Sequence, residues 1–164
     1  MKIKDIATEL NSDSAYLKLQ DGTNKVRMVS ELLPVWKAFD QESKTAKVYL
    51  TKEGAKTNKD ARKRFACYVI NRANQQVQIA EFGPKIVEQI TNLSCMDSYV
   101  FEDLPPYDFI IQKTGSGMET SYLVTGAREN TVLSEIEMAA VMSKEELWKV
   151  LAKDAEDGDS YIPF

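Results

Sequence analysis

Short alternating apolar runs, paired around turn-forming clusters, constrain this chain more than any other feature. Alternation at period two sends one set of side chains to one face of a pleated sheet and the rest to the other. Tyr16-Leu17-Lys18-Leu19 and Lys25-Val26-Arg27-Met28-Val29 flank the turn Asp21-Gly22-Thr23-Asn24. Residues 64–70 and 76–80 flank Asn71-Arg72-Ala73-Asn74-Gln75, and residues 107–113 and 120–125 flank Gly115-Ser116-Gly117. Each pair reads as a β-hairpin. A further strand, residues 46–51, turns Val48 and Leu50 one way and Lys47, Tyr49 and Thr51 the other. The stretch around Pro34 and Trp36 reads as an irregular connection. Residues 52–64 have no apolar period and read as a long loop or a loosely held helix.

Helical signals surround these strands. Ile3, Ile6 and Leu10 give residues 1–13 the spacing of a short arm or marginal helix. Pro84 suits the first position of a helix whose apolar face is Ile86, Val87, Ile90 and Leu93. Ser134 with Glu137, and Ser143 with Glu146, fit the capping box, in which each side chain satisfies an orphan amide at a helix start. The second of these helices would turn Leu147, Trp148 and Leu151 inward. The expected fold is mainly β, a small Greek-key β-barrel of the OB-fold type with added helices, α+β overall. Residues 1–13 would be an arm, 14–126 the barrel, 127–153 helices packed on it, and 154–164 an acidic, flexible tail that hangs free of the body.

Several function classes drop out. The 164 residues allow one domain with a real core. No apolar run approaches the roughly 20 residues that span a bilayer, and Met1-Lys2-Ile3-Lys4-Asp5 does not open a signal peptide. The expectation is a cytoplasmic protein, without a membrane partner, with Cys67 and Cys95 as free thiols. The chain has no histidine, which removes Ser-His-Asp and Cys-His catalysis and nearly every zinc geometry. Glu81, Glu88, Asp97, Glu102, Asp103 and Asp108 have no spacing that unites them around magnesium. No cofactor, no metal and no catalytic residue are expected; the chain reads as a binder and not an enzyme.

Charge is segregated. The four carboxylates of residues 154–164 account for the whole net charge of −4. Within the neutral remainder, residues 44–64 carry Lys44, Lys47, Lys52, Lys56, Lys59, Arg62, Lys63 and Arg64 against only Glu53 and Asp60. Such a stripe is the electrostatic footprint of phosphate binding. Unpaired bases stack on aromatic faces without regard to sequence, so rings beside these cations become candidates. Tyr49 shares a strand face with Lys47, and Tyr68 shares one with Arg64, which leaves Phe65, Cys67 and Val69 for the core. Trp36 and Phe39 lie in a connection where a ring could stand free. Lys113 and Tyr122 flank the third turn, and Arg27 and Arg72 add cations. The candidate nucleic-acid-binding set is therefore Arg27, Trp36, Lys47, Tyr49, Lys52, Lys56, Arg62, Arg64, Tyr68, Arg72, Lys113 and Tyr122. For each ring the competing role is core packing.

The tail ends Asp157-Gly158-Asp159-Ser160-Tyr161-Ile162-Pro163-Phe164. An apolar tip behind acids suits a small basic pocket on another protein, the Phe filling it and the acids steering approach. This tip resembles the acidic C-terminal tip of bacterial single-stranded-DNA-binding proteins. The resemblance implies that Asp157, Asp159, Ile162, Pro163 and Phe164 recruit replication, recombination and repair proteins. The strings Tyr16-Leu-Lys-Leu-x-Asp-Gly-x-Asn-Lys-Val-Arg27, Arg64-Phe-Ala-Cys-Tyr-Val-Ile70 and Tyr107-Asp-Phe-Ile-Ile-x-Lys-x-Gly-Ser-Gly-x-x-Thr-x-Tyr122 resemble phage single-stranded-DNA-binding proteins of the OB-fold type. That likeness runs from about Ser14 to Thr125. It implies sequence-independent binding and protection of single-stranded DNA, with self-association open. The T-even phage type holds zinc through His and Cys; without histidine, only the zinc-free branch of the resemblance applies. A decoy that occupies host pockets for the tip, and an OB-fold RNA-binding chaperone, are the alternatives.

Overall fold

The computed structural model describes residues 15–161. The expected arm and the tip residues Ile162, Pro163 and Phe164 lie outside the described residues.

Among the described residues, seven strands form one sheet: β1 (Gly22–Met28), β2 (Leu33–Asp40), β3 (Thr45–Tyr49), β4 (Arg62–Asn71), β5 (Gln76–Phe82), β6 (Phe109–Thr114) and β7 (Ser121–Gly126). Four α-helices among the same residues accompany them: α1 (Lys52–Ala55), α2 (Pro84–Ser94), α3 (Glu135–Met142) and α4 (Leu147–Ala152). The long strand β4 organises the sheet. One of its edges pairs with β5 from Phe65 to Asn71. Its other edge is shared: residues 62–66 pair with β2 and residues 69–71 with β1. The sheet continues to β3 on one side and through β6 to β7 on the other. All these pairings are antiparallel. The protein is thus mainly β with added helices, an α+β fold whose barrel-like sheet stays open between β3 and β7.

Phe65-Ala-Cys-Tyr-Val-Ile70 is almost uniformly apolar because β4 is buried on both faces. Cys67 and Val69 join Met28, Phe82, Phe109 and Ile111 in a core closed by Ile86, Ile90 and Leu93 of α2. Ala66, Tyr68 and Ile70 join Val35, Leu50 and Ile79 in a second core under Leu147 and Leu151 of α4. Each fully buried Val, Leu, Ile or Phe contributes roughly 1.5–3 kcal/mol, so β4 ties two separate sources of stability into one unit.

Local chemistry explains most element boundaries. Pro84 opens α2, and Ser134 with Glu137 completes the capping box of α3 in both directions. The hairpins β4–β5 and β6–β7 form where alternation placed them. On α2, the Gln89 side-chain amide donates to Tyr122 O at 2.9 Å and accepts from Val124 N at 2.8 Å, which occupies the outer edge of β7.

Three expectations change. Residues 16–19 do not pair with β1, since β4 and β6 already take both of its edges. The segment bridges β5 instead, with Leu17 N donating to Ile79 O and Ile79 N donating to Ala15 O, both at 2.8 Å. The connection around Pro34 and Trp36 is a full strand, and Val35 and Ala38 are buried in it. Ser143 caps the end of α3 rather than opening α4, which begins after Glu146 without a side-chain cap.

Candidate nucleic-acid interface

The β2–β3 hairpin and the start of β4 bring the basic stripe onto one sheet. Directly opposed residues of antiparallel strands share a face. Trp36 lies opposite both Tyr49 and Lys63, Ala38 opposite Lys47, and Pro34 opposite Phe65. One face therefore carries Pro34, Trp36 and Ala38 on β2, Lys47 and Tyr49 on β3, and Lys63 and Phe65 on β4. The Lys63 ammonium lies between two rings, 5.6 Å from the Trp36 centroid and 5.3 Å from that of Phe65. Trp36 and Phe65 are half-buried. Lys47 and Lys63 are exposed at the same surface.

The opposite face of this region is more committed. Lys37 pairs with Glu81 Oε1 at 2.5 Å and stands over the Tyr16 ring. Arg64 donates from Nη2 to Glu81 O at 3.1 Å, holding β4 to β5 beyond their ladder. Arg62 is exposed and makes no ion pair among the described residues, and the same holds for Lys52 on α1. Lys56 pairs with Glu53 at 3.4 Å on the exposed side of α1.

Two expected stacking residues are not exposed. Tyr49 is 6% exposed, and α1 lies against the β2 and β3 strands beside it. Tyr68 is 8% exposed in the second core, where its hydroxyl donates to Glu145 O at 2.7 Å. Strand parity does not expose Tyr68, because β4 is buried on both faces from Ala66 to Ile70. Phe65, placed in the core by the same argument, is one of the two rings beside Lys63. The signal for it was the Lys63-x-Phe65 spacing, which sets base and ring on one side.

Arg27 and Arg72 hold the fold together. Arg27 is 5% exposed; its Nη1 donates to Thr131 Oγ1 at 2.8 Å and pairs with Asp108 Oδ1 at 3.4 Å. Arg72 grips Asp108 in a fork, Nε to Oδ2 at 3.1 Å and Nη2 to Oδ1 at 3.2 Å, and also pairs with Glu137. A buried carboxylate shared by two guanidiniums thus staples residues 127–137 to the sheet. The hydrogen bond from the Ser134 amide, with that from Arg72, lowers the Glu137 carboxyl to about 2. Lys113 pairs with Asp21 at 3.8 Å, and Tyr122 packs half-buried on the first core, so both sit on the β6–β7 hairpin away from the stripe.

The tail is attached further than expected. Glu156 N donates to Val48 O at 2.8 Å, and Ala155 bridges Val48 in parallel along the outer edge of β3. The Asp157 carboxylate accepts from Leu50 N at 2.7 Å, Thr51 N at 2.9 Å and Thr51 Oγ1 at 2.5 Å. Burial raises this carboxyl, and the bonds from Thr51 and Leu50 overcome it, leaving it below its ordinary value. Tyr161 then lies against Trp148, with centroids 5.8 Å apart. Asp159 is exposed. The arm expected to hang free from Asp154 is therefore docked as far as Tyr161.

Among the described residues no helix is long and apolar enough to cross a membrane. Comparison with family models, curated proteins and solved structures finds no match.

Proposed function

We propose that this protein binds single-stranded DNA without sequence preference, on the face of β2, β3 and β4 that carries Trp36, Lys63 and Phe65. It would protect the strand during replication, recombination and repair, and recruit partner proteins through Ile162, Pro163 and Phe164. The observation that carries the reading is Lys63 held beside two half-buried rings, Trp36 and Phe65, on the face that also carries Lys47. An unpaired base can stack on Trp36 or Phe65 while Lys63 and Lys47 on the same face neutralise the flanking phosphates, at roughly 1–3 kcal/mol per stacked base. Duplex DNA offers this surface no exposed base faces, which favours the single strand.

The test is fluorescence anisotropy with labelled oligo-dT, oligo-U and duplex across a salt series. The expected result is tight oligo-dT binding that weakens linearly in log–log form as salt rises, through counterion release. Trp36→Ala and Lys63→Gln should each weaken it. Equal affinity for duplex, or no effect of either substitution, rejects the reading. Preference for oligo-U over oligo-dT would make the ligand RNA. A lysate pull-down unchanged by deletion of Phe164 would reject the recruiting role alone.

A further inference from the structure

A pocket of about 370 Å³ opens at the end of the first core, and no residue of the basic stripe lines it. Its floor is apolar: Met28, Leu32, Ile90 and Phe101. Its rim is acidic, with Glu31, Glu102 and Asp103, and no cation lines it. None of the three carboxylates forms an ion pair among the described residues. All three are exposed. Beside the pocket, the connection between α2 and β6 also holds Met96, Val100 and Leu104 out to solvent.

We infer that this pocket docks a basic segment of a partner protein, one aromatic or large aliphatic side chain entering it and flanking lysines or arginines meeting the rim. The volume suits a single large side chain, which would gain by leaving water. Three unpaired carboxylates around an apolar hole select cations on either side of that anchor and repel an acidic competitor. The exposed Val100 and Leu104 flank the lining residues Phe101, Glu102 and Asp103 in the chain and add apolar surface there, which favours a peptide. The carboxylates also oppose nucleic acid here, so this surface is separate from the DNA-binding face.

The probe is an acetylated, amidated Lys-Lys-Phe-Lys-Lys peptide, titrated to about 1 mM into the full ¹⁵N-labelled chain. Saturable amide shifts are expected at residues 28–32, 90–94 and 101–103, weakening as salt rises. The isosteric triple variant Glu31→Gln, Glu102→Gln, Asp103→Asn should lower affinity by about tenfold. Thr91→Phe, at an exposed helix position on the pocket wall, should block the anchor without touching the charges. Oligo-dT affinity should stay within about twofold in both variants, so loss of peptide binding and loss of DNA binding are read independently. The proposal is overturned if the shifts map to β2 and β3, if both variants bind the peptide as the parent does, or if Glu-for-Lys or Ser-for-Phe peptides bind equally well. Absence of binding at the highest concentration also overturns it. Self-association of the peptide-free chain that both variants abolish would assign the pocket to a second copy instead.

Discussion

Asp157 occupies the space that a side chain at residue 54 would need: a Cβ built on Gly54 falls 2.4 Å from Asp157 Oδ2. The β3–α1 turn thus admits the tail carboxylate only while residue 54 lacks a side chain. In an unconstrained helix, Gly→Ala stabilises by roughly 0.5–1 kcal/mol. Here Gly54→Ala should destabilise instead, because it expels a carboxylate that accepts three hydrogen bonds. Asp157→Asn should resemble it, and the double variant should be no worse than either alone. Thermal melts and amide exchange over residues 154–161 check this. A rise in melting temperature for Gly54→Ala would mean the latch carries no stability.

Acid should loosen the same regions. Glu137 is held at about 2 against an ordinary 4.5, and Asp157 also lies below its ordinary value. A carboxyl whose folded value is depressed contributes fully above its unfolded value and loses that contribution as pH falls toward the folded one. Urea midpoints should therefore hold steady down to about pH 5, then drop between 4.5 and about 2. Glu137→Gln should flatten that drop while lowering stability at neutral pH. A midpoint independent of pH in this window would contradict the role given to Glu137.

The aromatic residues should sort by burial. Tyr49→Ala should cost about 3–5 kcal/mol of stability, as truncation of a packed ring does. Tyr68→Phe should cost only about 0.5–1.5 kcal/mol, the worth of its bond to Glu145. Neither should change oligo-dT affinity of the folded fraction, whereas Trp36→Ala should lower it by roughly 1–3 kcal/mol with little change in the melt. Denaturant titration and anisotropy on the same samples separate the two effects. Lost affinity in Tyr49→Ala at full stability would restore Tyr49 to the binding surface.

The two cysteines should differ in reactivity. Burial pushes the Cys67 thiol up to about 12, so very little thiolate exists near neutrality, and the side chain is enclosed by the first core. Cys95 is exposed. A chromogenic disulfide reagent at pH 8 should modify Cys95 at once and Cys67 only in denaturant. Rapid reaction of both thiols in the native state would show that β4 opens locally.

Much of this architecture is legible in the sequence, and the misses share a cause. The hairpins β4–β5 and β6–β7 and helix α2 follow from local turn and capping chemistry, which acts within a few residues. What local chemistry does not report is how many faces a strand buries. Six apolar residues in a row at Phe65–Ile70 are the mark of burial on both sides, yet alternation imposed on them sent Tyr68 outward. Pro34 discouraged the strand assignment of β2 because proline cannot donate to a ladder, although Val35 and Ala38 kept the buried positions. Of the candidate site, Trp36 and Lys47 could be named from sequence, whereas Arg62 falls on the opposite face. The Lys63–Phe65 pairing with Trp36 needed the register between β2 and β4, which no single segment encodes.

An open sheet ordinarily leaves adhesive ends, rows of unpaired amides and carbonyls onto which another chain can crystallise as an extra strand. In this molecule the ends are plugged from within. Residues 155–156 lie along β3, the Gln89 amide imitates a neighbouring strand against β7, and residues 15–17 close the outer side of β5. At high local concentration, exposed edges of this kind knit copies into fibrils. With each end already occupied, crowding can bring these molecules together without joining their sheets.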